Sequence, residues 1–461
     1  MTKRVHLISL GCPKNRLDSE IMLGVLGEGG HTLVSEPEDA DVIVVNTCAF
    51  IEAAKKESLE TILEMAQHKE GGRAQRLIVT GCLAQRYGAE LKDSLPEVDT
   101  FLGTSEFRRI GDAVTGDLPD RTYIQEGSYL YSNADARTNT VRGGTAYVKI
   151  AEGCNRTCSF CIIPKIRGQQ NSRPVEDVYA EITRLAAAGV REAILIAQDL
   201  TSYGIDNGSV DKRALVKLLR RLEDVPHLEW IRMLYMYPWN FTDELLEIVA
   251  GSDKVLPYVD MPLQHISAPI LKAMRRNITR QRQADLIARL RQVPGLVLRT
   301  TFIAGFPGET DDDFRQLYDW VAEVEFDRVG VFTYSIEENT GAGVMENQVE
   351  EHVKIERRDA LMELQQGISE RKTKALVGQT MRVLVDGVSA EHEYVFEGRH
   401  YGQAPEIDGV VYLSYEDGAS PVAPGTMVNV EISEASAYDL VGVVLPDSPL
   451  SLAGDDVRIS L

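Results

Sequence analysis

The sequence predicts an α/β multidomain protein: an N-terminal parallel α/β sheet domain, a partial (βα)6 barrel, and a small all-β barrel at the C-terminal end. Three observations predict it. Short β-rich apolar runs alternate with amphipathic helical stretches over most of the chain, the pattern of a parallel sheet. Strand–helix units recur six times between residues 143 and 375, too few for a closed eight-stranded barrel. From residue 376 the helical period stops and five short strands separated by turn residues take over, which suits a small closed barrel. With 461 residues, 44% apolar and 26% charged, the chain has ordinary globular composition. Its length suits about three domains.

Residues 1–115 read as the first domain. In it VHLISLGC, DVIVVNTC and RLIVTGC are apolar runs that each close on a cysteine: Cys12, Cys48 and Cys82. A helical stretch follows each, beginning near Arg16, Ala53 and Gln85. Ligands of parallel sheets gather at the carboxyl ends of the strands. Three cysteines spaced 36 and 34 residues apart are therefore expected to meet on one sheet edge. The other reading is three separate buried structural cysteines. Residues 116–142 carry neither period and read as a polar linker.

In the second domain, 143–375, the strand candidates are 146–152, 192–198, 230–237, 255–261, 297–304 and 328–335, with helices between them such as 176–188, 211–223, 267–274 and 310–324. The first strand runs into GCNRTCSFC, which places Cys154, Cys158 and Cys161 as C-x3-C-x2-C at the end where such barrels keep their active sites. Three soft thiolates in a short loop suit an Fe–S cluster, and a four-iron cube with three protein ligands keeps one iron open to a substrate or cofactor. A zinc knuckle would need a nearby histidine, and the next one is His227. Between 149 and 173, Lys149, Arg156, Lys165, Arg167 and Arg173 stand against Glu152 alone. That excess either balances thiolates and bound carboxylates or is a solvated basic loop. Gln198, Asp199 and Arg232 read as ligand contacts or as fold residues. His265 reads as a hydrogen-bonded fold residue. GFPGET at 305–310 lacks the Lys-Ser/Thr of a phosphate loop and reads as the turn after the fifth strand. The charged helix from Glu351 to Ala375 reads mostly as a solvated face.

The third domain spans 376–445, and the tail, 446–461, is expected to be poorly ordered. From Val377 to Leu461 there are three Arg, no Lys and 14 acidic residues, a net of −11 out of −21 for the chain. A protein this acidic is not built for nonspecific nucleic-acid or anionic-membrane binding and suits a basic partner. No apolar stretch reaches the roughly 20 residues of a membrane span. MTKRVHLISLGC has too short an apolar run for a signal peptide. A cytoplasmic location, with no membrane or DNA partner, is expected. Six cysteines in such a chain suit metal binding better than disulfides.

These motifs carry a resemblance. C-x3-C-x2-C after the first barrel strand resembles the radical S-adenosylmethionine (SAM) superfamily. SLGCPKN, VNTCAFI and VTGCLAQ resemble the N-terminal domain of methylthiotransferases, and the C-terminal barrel resembles a TRAM domain. AEGCNRTCSFCIIPKIRG, AQDLTSYG, LPYVDMPLQH, TTFIAGFPGET and DRVGVFTYS follow in family order. GCPKN, CAFI and APEIDG at 404–409 resemble the RimO-type branch, which modifies an aspartate of the twelfth small-subunit ribosomal protein. The sister branch modifies a tRNA adenosine, and a barrel that grips tRNA should be basic. The resemblance implies two 4Fe–4S clusters: one on Cys154, Cys158 and Cys161 whose open iron takes SAM, and an auxiliary one on Cys12, Cys48 and Cys82 that carries the sulfur. It further implies a 5′-deoxyadenosyl radical that takes hydrogen from the aspartate β-carbon, Phe160 near the adenine, Gln198 and Arg232 as SAM contacts, and a low-potential electron donor. The alternatives are the tRNA adenosine methylthiotransferase activity and a non-catalytic Fe–S electron carrier or ribosome-assembly factor.

Overall fold

The computed structural model of the chain describes residues 2–125, 129–206, 211–415 and 421–446. Its first sheet has six parallel strands, in the order Thr32–Leu33, Arg4–Ser9, Val42–Thr47, Arg76–Gly81, Thr100–Leu102 and Thr122–Tyr123. Val42–Thr47 is buried throughout because helices cover both faces, which is why it reads as a continuous apolar run. The register aligns the strand ends: Ser9 faces Asn46, and Thr47 faces Gly81. Cys48 and Cys82 are each the next residue after that last pair.

The segment 116–142 differs from a free linker. Thr122–Tyr123 adds the sixth strand to the first sheet. Further along, Tyr131 is buried, and Arg137 is held between Glu20 of the first helix and Glu181 of the barrel at 2.7 Å each. A polar sequence reads as solvated, but here its polar groups find partners on the domains either side.

The second sheet has six parallel strands in chain order: Thr145–Lys149, Glu192–Ile196, Trp230–Met233, Val255–Asp260, Val297–Ala304 and Arg328–Thr333. It forms an open arc, since the first and last strands do not pair. The first predicted strand is divided. Thr145–Lys149 joins the sheet, while Ala151–Glu152 pairs antiparallel with Asn171–Ser172. That two-rung ribbon brackets the cysteine loop. The helix Glu351–Lys374 closes one side of the barrel, and its charges are not all solvated. Lys354 is buried with its ammonium on the Tyr334 carbonyl, and Arg357 pairs with Glu309 at 2.9 Å.

The five C-terminal strands, Thr380–Val388, Phe396–His400, Val411–Ser414, Leu440–Val444 and Met427–Ala435, form a closed barrel around a valine-rich core. Buried ions dock it on the second domain. Arg399 pairs with Asp386 at 2.7 Å and with Glu192 at 2.6 Å. APEIDG supplies Asp408, which accepts from Tyr258 at 2.7 Å, and Glu406, which pairs with Arg16. Part of this barrel's acidity is thus neutralised internally. Of the predicted tail, residues 447–461 lie outside the described residues. No helix among the described residues is long and apolar enough to cross a membrane.

Candidate metal centres

The first three cysteines stand on three adjacent strand ends. Cys12 is the N-cap of the helix Pro13–Glu28, with Pro13 at the first helical position, where its missing N–H costs nothing. Cys82 opens the helix Cys82–Ser94. Gly11 has φ +89°, and a Cβ there would lie 2.8 Å from Cys48 Cβ, so only glycine lets the first turn sit on the second. Side-chain bonds fix the turns. Asn15 donates to the Leu10 carbonyl at 2.6 Å, and Asn46 donates to the Asn15 carbonyl and Ser19 hydroxyl at 2.8 Å each. Ser58 accepts from the Cys48 amide at 3.0 Å. Burial pushes the Cys48 thiol up to about 12, with the charges of Cys82 and Cys12 adding to it. Cys82 is raised too, by burial, against the nearby Arg167 guanidinium, whose Nη2 lies 3.5 Å from its Sγ.

The second three lie in the bracketed loop. Gly153, at φ +79°, lets the chain pass so close to Gln169 that a Cβ would meet its carbonyl at 2.1 Å. The Cys154 amide donates to the Gly168 carbonyl at 3.0 Å, and Cys161 turns back on the Cys158 carbonyl at 3.1 Å. Burial raises Cys154 to about 11 and Cys161 to about 12; Cys158 adds to both, and Cys154 adds to Cys161. Arg276 Nη1 lies 3.8 Å from Cys158 Sγ. The guanidinia of Arg276 and Arg156 both lie 4.1 Å from the Tyr237 ring centroid, and Arg156 also pairs with Asp199 at 2.7 Å.

Each set thus holds two thiols that burial pushes up, Cys48 and Cys82 in the first and Cys154 and Cys161 in the second, each with another cysteine of its set adding to the rise, and metal binding would release their protons. Among the described residues no three His, Cys, Asp or Glu close tightly enough on one point for a single metal ion. A multi-iron cluster with one thiolate per iron sets its ligands wider than the sulfur shell of one zinc. The donor chemistry fits such clusters. His265 is taken up elsewhere: its Nδ1 accepts from the Ser267 amide at 3.0 Å and its Nε2 lies 3.5 Å from Glu309.

A buried ion network joins the two sets. Asp18, one turn past Lys14 on the helix capped by Cys12, pairs with Lys149 and Arg167 at 2.6 Å each. Glu152 pairs with Lys149 at 2.5 Å and Arg167 at 3.4 Å, and it accepts from Gln198 Nε2. None of the four ionised side chains is more than 5% exposed. Burial alone would raise Glu152, but Lys149 and Arg167 beside it hold it down to about 2. Of the five basic residues of the predicted stretch, only Lys165 is exposed.

The other predicted ligand contacts divide. Gln198, at the end of the second strand, keeps Oε1 buried and without a partner among the described residues. Phe160 is half-buried, edge-on to Phe306 at 6.5 Å, and GFPGET is a turn in which Glu309 accepts from the amides of Gly305 and Phe306. Arg232 has partners of its own. It is fully buried and pairs with Glu192 at 2.7 Å and with the Tyr401 carbonyl at 2.8 Å, which ties it to the C-terminal barrel. Sequence reasoning missed Asp18, Arg276, Lys14 and Tyr235. Lys14 is only 8% exposed yet has no carboxylate partner among the described residues, and its ammonium lies 2.9 Å from the Tyr235 ring centroid. Tyr235 has φ +64°, rare for a bulky residue, and its amide donates to Asp260. Lys14 stands inside SLGCPKN, which was a signal; Arg276, in MRRN, had none.

Comparison with known proteins agrees with this layout. The model of Uncharacterized protein family UPF0004 matches residues 4–103, that of the Radical SAM superfamily 148–321, and that of the TRAM domain 377–445. The ribosomal protein uS12 methylthiotransferase RimO of Sorangium cellulosum is 50% identical over 97% of this chain and 92% of its own length. Those of Myxococcus xanthus and Geobacter sulfurreducens are 48% and 45% identical over 96% of this chain, and over 92% and 99% of their own lengths. A solved radical SAM methyltransferase, TsrM from Kitasatospora setae, superposes with a TM-score of 0.54 at 16% identity, over 74% of this chain and 75% of that one, which shows a shared fold. The superfamily implies a 4Fe–4S cluster and SAM as cofactors. With relatives this similar along nearly its whole length, the chain belongs to the RimO family of radical SAM methylthiotransferases.

Proposed function

We propose that the chain adds a methylthio group to the β-carbon of an aspartate in the twelfth protein of the small ribosomal subunit, in the cytoplasm. Domains 1–115 and 143–375, joined by 116–142, hold the chemistry, and 376–445 serves docking. Cys154, Cys158 and Cys161 would hold a 4Fe–4S cluster with SAM, and Cys12, Cys48 and Cys82 a second one. When bound, these groups supply one-electron cleavage of SAM, a hydrogen-abstracting radical and the sulfur to be transferred.

The observation that carries the reading is the buried network. Lys149 and Gln198 stand at the ends of barrel strands, Glu152 stands on the ribbon that brackets the cysteine loop, Asp18 stands on the helix capped by Cys12, and Arg167 reaches Cys82. These residues hold the two thiol sets at one fixed separation, which is what coupling a short-lived radical to a second reactant requires. Lys14 supports the substrate. Burial lowers its pKa to about 8, and the neighbouring Cys12 and Asp260 only partly restore it. A buried cation without a carboxylate partner is costly, and the carboxylate of a bound aspartate would complete it. Gln198 Oε1 and the Phe160 ring would line the SAM side. Glu391, Glu393, Glu431 and Glu434 stay exposed on the C-terminal barrel, suited to a basic ribosomal protein.

Anaerobic reconstitution with iron, sulfide, SAM and reductant, followed by ribosomal protein or tRNA, tests this. A methylthio mass increment on an aspartate-containing peptide is expected. An increment on tRNA alone replaces the proposal with the sister activity, and absence of SAM cleavage removes both.

A further inference from the structure

In this acidic chain, residues 268–291 stand out with seven Lys and Arg against one acid, Asp285. Three of those cations are engaged: Arg276 is buried against Cys158, Arg289 pairs with Asp243, and Arg291 pairs with Asp327. The other four, Lys272, Arg275, Arg280 and Arg282, are exposed and have no carboxylate partner among the described residues. Arg280 meets only the amide oxygen of Gln316, and Arg282 lies 5.0 Å from the ring centroid of Trp239. Trp239 is 48% exposed. Between them opens a cavity of about 460 Å³ lined by Thr157, Trp239, Leu271, Lys272, Arg275 and Ile278. Thr157 belongs to the C-x3-C motif, and both it and Asn155 reach solvent. Arg276, next in the chain to Arg275, extends inward to within 3.8 Å of Cys158 Sγ.

We infer that this face is the docking surface for an acidic one-electron carrier protein, of the Fe–S or flavin type. The inference rests on the proposed reading in needing a cluster on Cys154, Cys158 and Cys161. The transfer moves one electron: the carrier is oxidised by one, the protein-bound cluster is reduced by one, and no atom or proton changes place. Charge complementarity selects the partner. A basic ribosomal protein is repelled by four unpaired cations, whereas an acidic carrier is steered onto them. Position selects it again, because this is where the cysteine loop surfaces, and electron transfer needs the shortest path to the cluster. The small patch with a single exposed aromatic suits the limited area of transient redox encounters. Ribosomal RNA, the other acidic candidate, would need phosphate contacts spread over a longer basic track.

The test uses the full chain, reconstituted, with three charge reversals together: Lys272→Glu, Arg275→Glu and Arg282→Glu. The probe is reduced plant-type 2Fe–2S ferredoxin, titrated calorimetrically at low and high salt, with rRNA titrated in parallel. The wild type is expected to bind ferredoxin with strong salt dependence. The triple variant should bind it about tenfold or more weakly, while cleaving SAM at the wild-type rate when dithionite replaces the carrier. A variant with Lys272→Arg, Arg275→Lys and Arg282→Lys should bind like the wild type. Unchanged ferredoxin affinity in the charge-reversed protein overturns the inference, as does a loss confined to rRNA. Failure of the wild type to cleave SAM with dithionite refutes the proposed function instead, and so is told apart from a failure of docking.

Discussion

Replacing Asp18 with asparagine keeps the side chain's shape and one acceptor but leaves Lys149 and Arg167 facing Glu152 alone. Both cations lie 2.6 Å from Asp18, and all three side chains are almost wholly buried. Removing one partner from such a cluster leaves an uncompensated charge out of water, a loss of about 3–5 kcal/mol. Asparagine's remaining acceptor places the expected value near the lower end, about 3 kcal/mol. For a cooperative unit of 150–250 residues this lowers the melting temperature by about 6–12 °C. Differential scanning calorimetry at pH 7 measures it. Adding Lys149→Met to Asp18→Asn restores charge balance, so the double variant should melt well above the sum of the two single effects. An Asp18→Asn protein that melts within about 1 °C of the wild type, or a strictly additive double variant, refutes the network as the clamp between the two domains.

The same network sets an acid limit. Glu152 has a folded pKa of about 2, below its ordinary 4.5, so its contribution is complete above the unfolded value and is lost as pH falls from about 4.5 toward 2. A depression of that size corresponds to about 3 kcal/mol, and Glu152→Gln should flatten this part of the stability–pH curve measured by urea titration. Changing Cys154, Cys158 and Cys161 together to Ala should abolish SAM cleavage yet leave about half of the iron, read by elemental analysis, because the other three thiols are a separate set; loss of all iron contradicts two independent centres. Lys14→Met should remove the preference for a substrate peptide carrying aspartate over one carrying asparagine, a difference of about tenfold in Kd in the wild type; equal Kd values in the wild type contradict the carboxylate role. Gly11→Ala, at φ +89° and against Cys48, should destabilise the first domain by about 1–3 kcal/mol and lower iron uptake at Cys12, Cys48 and Cys82. A neutral melt there would show that the turn can relax.

What was legible in the sequence were features whose signal is local. Each of VHLISLGC, DVIVVNTC and RLIVTGC states its own strand and its own end, and a parallel sheet brings such ends together by register, as Thr47 facing Gly81 shows. The six-strand arc and the five-strand barrel were legible for the same reason. Polar residues whose partners are remote in sequence could not be read. Asp18 meets Lys149 131 residues away and Arg167 149 residues away, so each looks like a surface charge in its own segment. Arg232 is a further case: its place in a barrel strand suggested a ligand contact, and nothing local announced the partners it has in Glu192 and in Tyr401 of the C-terminal barrel. Net charge was informative only as a sum. Asp386, Glu406 and Asp408 counted toward an acidic surface, and the fold turns them against arginines. Once internal pairs are removed, the exposed acids of the C-terminal barrel and the exposed cations around Trp239 remain as two separate fields. On the proposed readings, a basic polypeptide substrate is drawn to the first of these fields and an acidic redox partner to the second.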